Sequence, residues 1–318
     1  MSTLFCHILI KSIIGEYNTL KIFNILFLVT LNVLLFAHCN QKSQPLSDKI
    51  KIAASIAPLA DFAKQVGGDR VDVFTIVPPG IDPHTFELTP DLMIKISSSH
   101  LLVLNGVGLE FWASKVSDNI KRENFYTVDT STGINVIHEL HRDNENHHES
   151  GNPHIWLDPQ NAIQQVIYIR DALFKVDNQH TVIYETNANQ YITRLKELDE
   201  GLKEEINSWK MKKFVCFHPA WEYFANRYGL DQAAVIEKSP GAEPGPIEIA
   251  EIIKTVKLLK IKAIFVEAQF PNNLSKSIAL ESGIKVIPLD PIGLSQNGFN
   301  YIDMMLYNVK QMASVLKE

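Results

Sequence analysis

From residue 50 onward, short apolar runs alternate with longer stretches in which apolar residues recur every three or four positions. The apolar runs of four to seven residues have the length of buried strands. In the longer stretches, apolar residues recur at the period of an amphipathic helix. Such strand–helix alternation predicts parallel sheets covered by helices on both faces. The predicted strands are Ile50–Ala54, Val71–Val77, Leu101–Leu104, Phe125–Val128, Phe214–Phe217, Ala233–Ile236, Ala263–Val266 and Val286–Leu289.

The predicted helices fall into the same two groups as the strands. Four strands precede residue 130 and four follow residue 210, so each group is sufficient for one sheet. We therefore expect an α/β protein with two Rossmann-like lobes. The predicted helices are Ala57–Val66, Thr89–Ser97 and Glu110–Ser117 in the first lobe, and Trp221–Tyr228, Ile247–Leu259, Leu274–Ser282 and Tyr301–Leu316 in the second.

A long polar stretch, Thr181–Lys210, separates the two groups and contains no proline and one glycine. Its apolar positions mostly step by three or four residues, which predicts one amphipathic helix. A helix of about 28 residues would extend about 42 Å, enough to connect both lobes as a rigid strut. The expected division of the chain is a signal peptide and tether over residues 1–45, a first lobe over 46–178, a linker helix over 179–210 and a second lobe over 211–318.

The first 45 residues have the features of an export signal. An apolar run over residues 22–37 follows Lys21, and it is shorter than the roughly 20 residues needed to span a membrane. The polar stretch after it has no stop-transfer character, which favours a secretory signal peptide. Cys39 is a candidate for lipid attachment, although His38 stands where a small residue is usual. The alternative is cleavage nearby without lipidation.

The rest of the chain has the composition of a globular protein. Hydrophobic residues make up 46% of the sequence and charged residues 21%, which is ordinary for a soluble domain. The net charge of −6 gives no electrostatic reason to expect nucleic acid as a partner. Cys216 is the only cysteine beyond the leader, so no internal disulfide can form there. Its apolar neighbours predict an inert, buried thiol.

Three histidines, His84, His154 and His218, each stand next to a proline, and so does Asp290. Successive members of this series are 70, 64 and 72 residues apart, so they can meet only through tertiary folding. The prolines restrict the local backbone and would preorganise a site. Three neutral imidazoles and one carboxylate are suitable ligands for a borderline cation such as Zn²⁺.

The predicted strands place these groups at the edge of the sheets where ligands bind. His84 follows the Val71–Val77 strand through a short turn, whereas His218 and Asp290 directly end their strands; the strand leading to His154 is less clear. In open α/β sheets the carboxyl ends of the strands face the ligand crevice. Two ligands would then come from each lobe, and the metal would bridge the cleft between them.

Two further acidic residues are candidates near this site. Glu267 ends the Ala263–Val266 strand and either supplies a ligand oxygen or hydrogen-bonds a ligand from behind. Asp158 has a similar supporting role or else caps a helix. Capping a helix or turn is also the alternative role for Asp290.

Four motifs occur along the chain: DPHTFE at residues 82–87, NGVGLEFW at 105–112, PHIWLDP at 153–159 and FVEAQF at 265–270. In combination they resemble the zinc/manganese solute-binding proteins of bacterial ABC importers, the cluster A-I metal-binding family, over essentially residues 50–316. The resemblance implies two α/β lobes joined by one long helix with the metal between them. It also implies metal ligands at His84, His154, His218 and Asp290.

The third ligand position separates the subgroups of this family, because glutamate is typical of manganese-type members and histidine of zinc-type members. His218 therefore implies Zn²⁺ rather than Mn²⁺, and imidazole suits zinc whereas manganese prefers oxygen. Zinc-type members also resemble this chain in a His- and acid-rich loop, which would capture zinc weakly and pass it inward, or else be an ordinary solvated loop. The histidines of this loop are His138, His141, His147 and His148.

These features predict a monomeric, extracytoplasmic zinc-binding protein, periplasmic or tethered to a membrane. It would deliver Zn²⁺ to the membrane permease of an ABC transporter, which works with a cytoplasmic ATPase. Protons compete with the metal for imidazole nitrogen, so the affinity should fall as the pH drops toward about 6.5.

Two other functions compete with this interpretation. A zinc-dependent hydrolase would use a metal-bound water, but the chain has no H-E-x-x-H motif, and a closed shell of four ligands leaves no open coordination position. A metal-binding surface adhesin of the same fold is the other alternative. Nucleotide binding is disfavoured, because Gly106-x-Gly108 lacks a third glycine and no P-loop motif occurs.

Overall fold

The computed structural model describes residues 49–138, 151–238, 243–267, 269–270, 273–293 and 300–318. The predicted export signal with Cys39 lies outside these residues, as do His141, His147 and His148 of the predicted loop. Within the described ranges, no helix combines the length and the apolar character needed to cross a membrane.

The first lobe is built on a parallel sheet of four strands. The strands are β1 (Ile50–Ala54), β2 (Val71–Thr75), β3 (Leu101–Leu104) and β4 (Tyr126–Asp129), arranged in the order β2-β1-β3-β4. All three strand pairs are parallel, and every residue of β3 is buried, as expected for a strand covered on both faces. The helices that alternate with these strands are α1 (Ala57–Gly67), α2 (Pro90–Ser97) and α3 (Ala113–Asn119).

Two long helices follow the first sheet, α4 (Pro159–Val176) and α5 (Thr181–Asn207). The sequence pattern did not predict α4, whereas α5 is the predicted linker helix. Its 27 residues extend about 40 Å. The face of α5 that packs against the core carries the apolar positions that indicated the helix: Tyr184, Tyr191, Leu195, Leu198, Leu202 and Ile206.

The second lobe repeats the architecture of the first. Its strands are β5 (Lys213–Cys216), β6 (Asp231–Val235), β7 (Ala263–Glu267) and β8 (Lys285–Leu289), all parallel and in the order β6-β5-β7-β8. Both lobes belong to one compact unit, residues 49–318. The helices of this lobe are α6 (Glu222–Tyr228), α7 (Pro246–Leu258), α8 (Asn273–Ser282) and α9 (Tyr301–Leu316).

The order of the strands creates a ligand crevice in each lobe. In each sheet the first strand lies between the second and the third, so the chain winds outward in opposite directions from β1 and from β5. The carboxyl ends of strands at such a switch point form the crevice in which open α/β sheets bind ligands. The predicted fold class, two α/β lobes with parallel sheets and a long connecting helix, is confirmed.

All eight predicted strands are present, with boundaries within two residues of the expected ones. The helix expected from Glu110 begins at Ala113 instead. The reason is that the Glu110 carboxylate accepts hydrogen bonds from the main-chain N–H groups of Asn105 (2.8 Å) and Gly106 (3.0 Å). Glu110 therefore closes the loop after β3 and does not enter the helix.

The expectation that a strand leads into each candidate ligand is wrong for His154. The described residues around it, 130–138 and 151–158, contain no strand. His154 instead precedes a buried 3₁₀ turn, Ile155–Leu157. Asp158 then caps α4, because its carboxylate accepts the Gln160 N–H at 2.8 Å. Capping was one of the two predicted roles of Asp158.

Arg227 in α6 joins the two lobes and the long helix. Its guanidinium lies 3.2 Å from the carboxylate of Asp158 in the first lobe and forms an ion pair with Asp199 in α5. Asp199 also accepts hydrogen bonds from Gln160 (3.0 Å) and from the Tyr228 hydroxyl (2.9 Å). A single buried carboxylate thus holds the helix to both lobes.

Candidate metal centre

Three imidazole rings from three distant segments meet between the lobes. The Nε2 atom of His154 lies 3.1 Å from Nε2 of His84 and 3.0 Å from Nε2 of His218. The candidate ligand atoms of these histidines all lie within 4.8 Å of one another, and they form the only such group of three or more in the described part of the chain. His154 and His218 are buried, and His84 is half-buried.

The spacing of the three nitrogen atoms suits a shared cation. Zn–N bonds of about 2.0–2.1 Å place neighbouring nitrogens of a tetrahedron about 3.3 Å apart. The observed separations of 3.0 and 3.1 Å are close to that value. Where these Nε2 atoms carry their lone pairs, they repel one another at this spacing, and a cation between them would stabilise the arrangement.

Each ring reaches the centre from a differently built segment. His84 lies in the loop after β2, where its main-chain N–H donates to the Asp82 carboxylate at 3.0 Å. His218 lies two residues beyond the end of β5, at the switch point of the second sheet. His154 lies in the loop before α4, packed against the Trp156 ring at 5.3 Å between centroids.

The second nitrogen of His154 is held by Asn152. The Oδ1 atom of Asn152 lies 2.7 Å from Nδ1 of His154 and 3.0 Å from its main-chain nitrogen. Because an amide oxygen only accepts hydrogen bonds, Nδ1 carries the proton and the lone pair of the neutral ring is on Nε2. That is the nitrogen that faces His84 and His218.

The second nitrogen of His218 faces Glu267. Nδ1 of His218 lies 3.2 Å from Oε2 of Glu267, while Oε1 of Glu267 accepts the indole N–H of Trp221 at 3.1 Å. Glu267 ends β7, the strand that pairs with β5, so the sheet register brings the two residues together. A carboxylate behind a ligating imidazole fixes the orientation of the ring and raises its basicity.

Burial favours the neutral form of two of these histidines, His84 and His154. Desolvation, with the nearby His218 as the second cause, lowers the pKa of His84 to about 4, although Asp82 opposes the shift. Desolvation and the neighbouring His218 and His84 also lower the pKa of His154 well below its ordinary value. Neutral imidazole is the form that binds metal ions.

Asp290, the predicted fourth ligand, lies directly after β8. Its Oδ1 atom accepts the main-chain N–H groups of Ile292 (3.2 Å) and Gly293 (2.6 Å). The next residue, Pro291, accepts the indole N–H of Trp156 at 2.6 Å, so the Asp290 loop packs against the ring that contacts His154. Asp290 is not a member of the group of three, and its role as a ligand stays a prediction.

The sequence pattern did not single out every residue of the centre. Asn152 stands in the same short motif as His154, but no role was inferred for its amide. Trp156 and Trp221 are fully buried and fix the two sides of the centre through their indole N–H groups. An Asn two residues before a candidate ligand was the available signal, since short polar side chains commonly hydrogen-bond nearby main chain. His138, from the predicted loop, is exposed and lies outside the centre.

Comparison with known proteins identifies similar chains across most of the sequence. A family model described as ZnuA, zinc-uptake complex component A, periplasmic, matches residues 52–315. The zinc-binding lipoprotein AdcA of Streptococcus pneumoniae is 31% identical over 299 residues, which make up 90% of this chain and 60% of AdcA. This chain therefore spans about three fifths of the length of that relative.

Two further comparisons cover the whole of the similar protein or nearly so. The manganese ABC transporter substrate-binding lipoprotein PsaA of Streptococcus mitis is 31% identical over 304 residues, which cover 92% of this chain and 97% of PsaA. A crystal structure of ZnuA matches with a TM-score of 0.76 at 30% identity, covering 85% of this chain and 100% of that structure. The two-lobed fold is thus shared with a solved protein.

Proposed function

This chain belongs to the ZnuA family, the periplasmic component A of zinc-uptake complexes, and we propose that it captures Zn²⁺ outside the cytoplasm and delivers it to an ABC permease. The observation that carries this proposal is the meeting of three Nε2 atoms between the lobes. His84, His154 and His218 are the proposed ligands. Asp290 is the proposed fourth ligand, reaching the ion from the second lobe.

Zinc is the proposed cargo because all three grouped ligands are nitrogen. Imidazole is a preferred ligand of Zn²⁺, whereas Mn²⁺ favours carboxylate, carbonyl and water oxygens. Among the relatives, AdcA is named as zinc-binding and PsaA as a manganese transporter component, so the family includes both metals. The donor set of this chain supports the first of these.

Binding and release, not catalysis, is the proposed chemistry. A hydrolytic zinc centre needs an open coordination position and a general base that faces the metal-bound water. Glu267 is a buried carboxylate next to the centre, but one of its oxygens contacts His218 Nδ1 and the other accepts the Trp221 indole N–H. It therefore lies on the side of the His218 ring opposite to Nε2, the proposed ligand atom. With Asp290 as the fourth ligand, the shell would be closed.

Delivery would require the two lobes to separate around the ion. Two of the proposed ligands, His84 and His154, belong to the first lobe, and His218 and Asp290 belong to the second. Separation of the lobes would therefore leave the ion with only two of its four proposed ligands. A permease that binds the protein with its lobes separated would then release the ion. The predicted signal peptide would place the protein on the side of the membrane from which an importer takes its cargo.

Metal titration of the chelator-stripped protein lacking residues 1–48 tests this function. We expect one Zn²⁺ per chain with a Kd tighter than about 1 µM at pH 7.5, and much weaker binding of Mn²⁺. His218→Ala should weaken zinc binding by more than about 100-fold, because loss of an outer partner of a ligand alone costs 10- to 100-fold. His180→Gln is the matched control, since His180 lies at the opposite end of α4 from His154. Preference for Mn²⁺, or an unaffected His218→Ala variant, would refute the proposal.

A further inference from the structure

The side chain of Asn152 lies between the two lobes and is bonded to both. The residue is 4% exposed. Its oxygen accepts from the main-chain nitrogen and from Nδ1 of His154, at 3.0 and 2.7 Å. Its nitrogen donates to the main-chain oxygen of Pro219 at 2.6 Å and to the Glu222 carboxylate at 3.0 Å. All of these partners except His154 belong to the second lobe.

Main-chain groups determine which way the amide points. The His154 main-chain N–H can only donate, and the Pro219 carbonyl can only accept. The oxygen of Asn152 must therefore face His154, and its nitrogen must face Pro219. With the amide fixed in this way, Nδ1 of His154 has to carry its proton to donate to Asn152. The lone pair of His154 is consequently on Nε2, where the metal is proposed to bind.

The second lobe also holds the main chain of Asn152. The Tyr223 hydroxyl donates to the Asn152 carbonyl at 2.8 Å, and Tyr223 in turn accepts the Ile137 main-chain N–H at 2.9 Å. Pro219, which accepts from the Asn152 amide, directly follows His218. Asn152 of the first lobe therefore fixes the ring of His154 and contacts Pro219, the neighbour of His218, across the cleft.

We propose that Asn152 is a positioning residue that makes the metal-binding tautomer of His154 depend on closure of the two lobes. In the closed arrangement, Pro219 and Glu222 hold the amide so that its oxygen faces Nδ1 of His154. When the lobes separate, the nitrogen of the amide loses both acceptors, and only its oxygen is still held, by the N–H groups of His154. His154 then gains access to the tautomer with its proton on Nε2, which cannot bind the metal through that atom. Separation of the lobes thus weakens metal binding by His154 of the first lobe and also removes the proposed ligands of the second lobe, His218 and Asp290.

This inference rests on the proposed metal-binding function, but its first test needs no metal. Long-range ¹H–¹⁵N correlation spectra of the metal-free protein at pH 8 distinguish the two tautomers of a neutral histidine. We expect His154 to be protonated on Nδ1 in the wild-type protein and in Asn152→Asp, and to populate the Nε2-protonated form in Asn152→Ala. Asn187→Ala is the matched control, because Asn187 also donates to a main-chain carbonyl, that of Val66, at 3.0 Å.

Zinc-binding measurements then distinguish the role of the amide oxygen of Asn152 from the role of its nitrogen. Asn152→Ala should weaken zinc binding by about 10- to 100-fold, the usual cost of losing an outer partner of a ligand. Asn152→Asp keeps an oxygen that accepts from Nδ1 of His154. Its second oxygen, however, would face the Pro219 carbonyl and the Glu222 carboxylate, which are also acceptors. We expect it to raise the zinc dissociation rate on the order of tenfold. Glu222→Gln added to Asn152→Asp restores a donor–acceptor pair and should slow dissociation again.

The outcomes distinguish this inference from the proposed function. An unchanged His154 tautomer in Asn152→Ala, or equal dissociation rates for Asn152→Asp with and without Glu222→Gln, would overturn the role of Asn152 even if zinc binds tightly. Failure of the wild-type protein to bind zinc, together with a changed tautomer in Asn152→Ala, would instead refute the proposed function and leave the hydrogen-bond assignment intact.

Discussion

Nδ1 of His218 lies 3.2 Å from Oε2 of Glu267, and both side chains are buried at the carboxyl ends of adjacent strands. The parallel register of β5 and β7 brings them together, so the pairing follows from the sheet itself. The negative charge of Glu267 would stabilise the proton on Nδ1 and direct the lone pair of His218 toward the proposed metal.

Replacement of Glu267 should therefore weaken zinc binding without changing its stoichiometry. We expect Glu267→Gln, which keeps an acceptor but loses the charge, to raise the Kd by about tenfold, and Glu267→Ala by up to about 100-fold. Competition with a chromophoric chelator measures both values. Glu248→Gln, at the exposed start of α7, serves as the control. A Kd for Glu267→Ala equal to that of the wild-type protein would contradict the supporting role of this carboxylate.

Arg227 should contribute to stability because it compensates the buried Asp199 carboxylate. Arg227→Met leaves that carboxylate without its charged partner, which should lower the free energy of unfolding by about 1–3 kcal/mol. Urea unfolding of the metal-free protein measures the change. Arg170→Met removes an ion pair with Asp171, whose carboxylate is half-exposed, and should cost less than about 1 kcal/mol. Equal effects of the two substitutions would mean that Arg227 does not connect the lobes to α5 in solution.

The same carboxylate should make stability depend on pH. Burial opposes ionisation of Asp199, but the hydrogen bonds from Arg227, Gln160 and Tyr228 outweigh it and lower the pKa of Asp199. Its stabilising contribution is therefore fully present above the unfolded pKa of about 3.9 and is lost as the pH falls through the lower folded pKa. The free energies of unfolding of the wild-type protein and Asp199→Asn should differ most near pH 7 and converge below about pH 4. A difference that stays constant over this range would exclude the assigned shift.

Cys216 should be unreactive in the folded protein. It is fully buried, and burial with the nearby Glu267 and Glu222 raises the pKa of its thiol well above the ordinary value. Because the thiolate is the reactive form, a disulfide reagent at pH 8 should not modify the folded protein lacking residues 1–48. The same reagent should modify one thiol per chain once the protein is unfolded in urea. Rapid modification of the folded protein would show that Cys216 is accessible.

The alternating apolar pattern was sufficient to predict the strands and the long helix, because these elements bury continuous apolar faces. It failed for α4, although the signals were present. Asp158 and Pro159 form an N-cap followed by a proline at the first helical position, and Ile163, Val166 and Ile169 are spaced at the helical period. Capping by Asp158 is one of its two predicted roles, but the pattern of apolar positions assigns no helix after it.

The histidines could be singled out from the sequence, but their meeting could not be derived from local patterns. Residues 64 and 70 positions apart approach one another only because two sheets place their loops on the same cleft. The hydrogen bonds of the Asn152 amide are still harder to predict from the sequence, because their acceptors Pro219 and Glu222 belong to the other lobe. Propensity and periodicity describe single elements, whereas this network depends on how the lobes are packed.

The most direct test of the metal centre is a crystal structure of the zinc-loaded protein with anomalous data collected on both sides of the zinc absorption edge. We predict a single strong anomalous peak between the lobes, about 2.0–2.1 Å from the Nε2 atoms of His84, His154 and His218. A carboxylate oxygen of Asp290 at a similar distance would complete the proposed shell. A peak elsewhere in the protein, or one bonded through the Nδ1 atoms, would contradict the account.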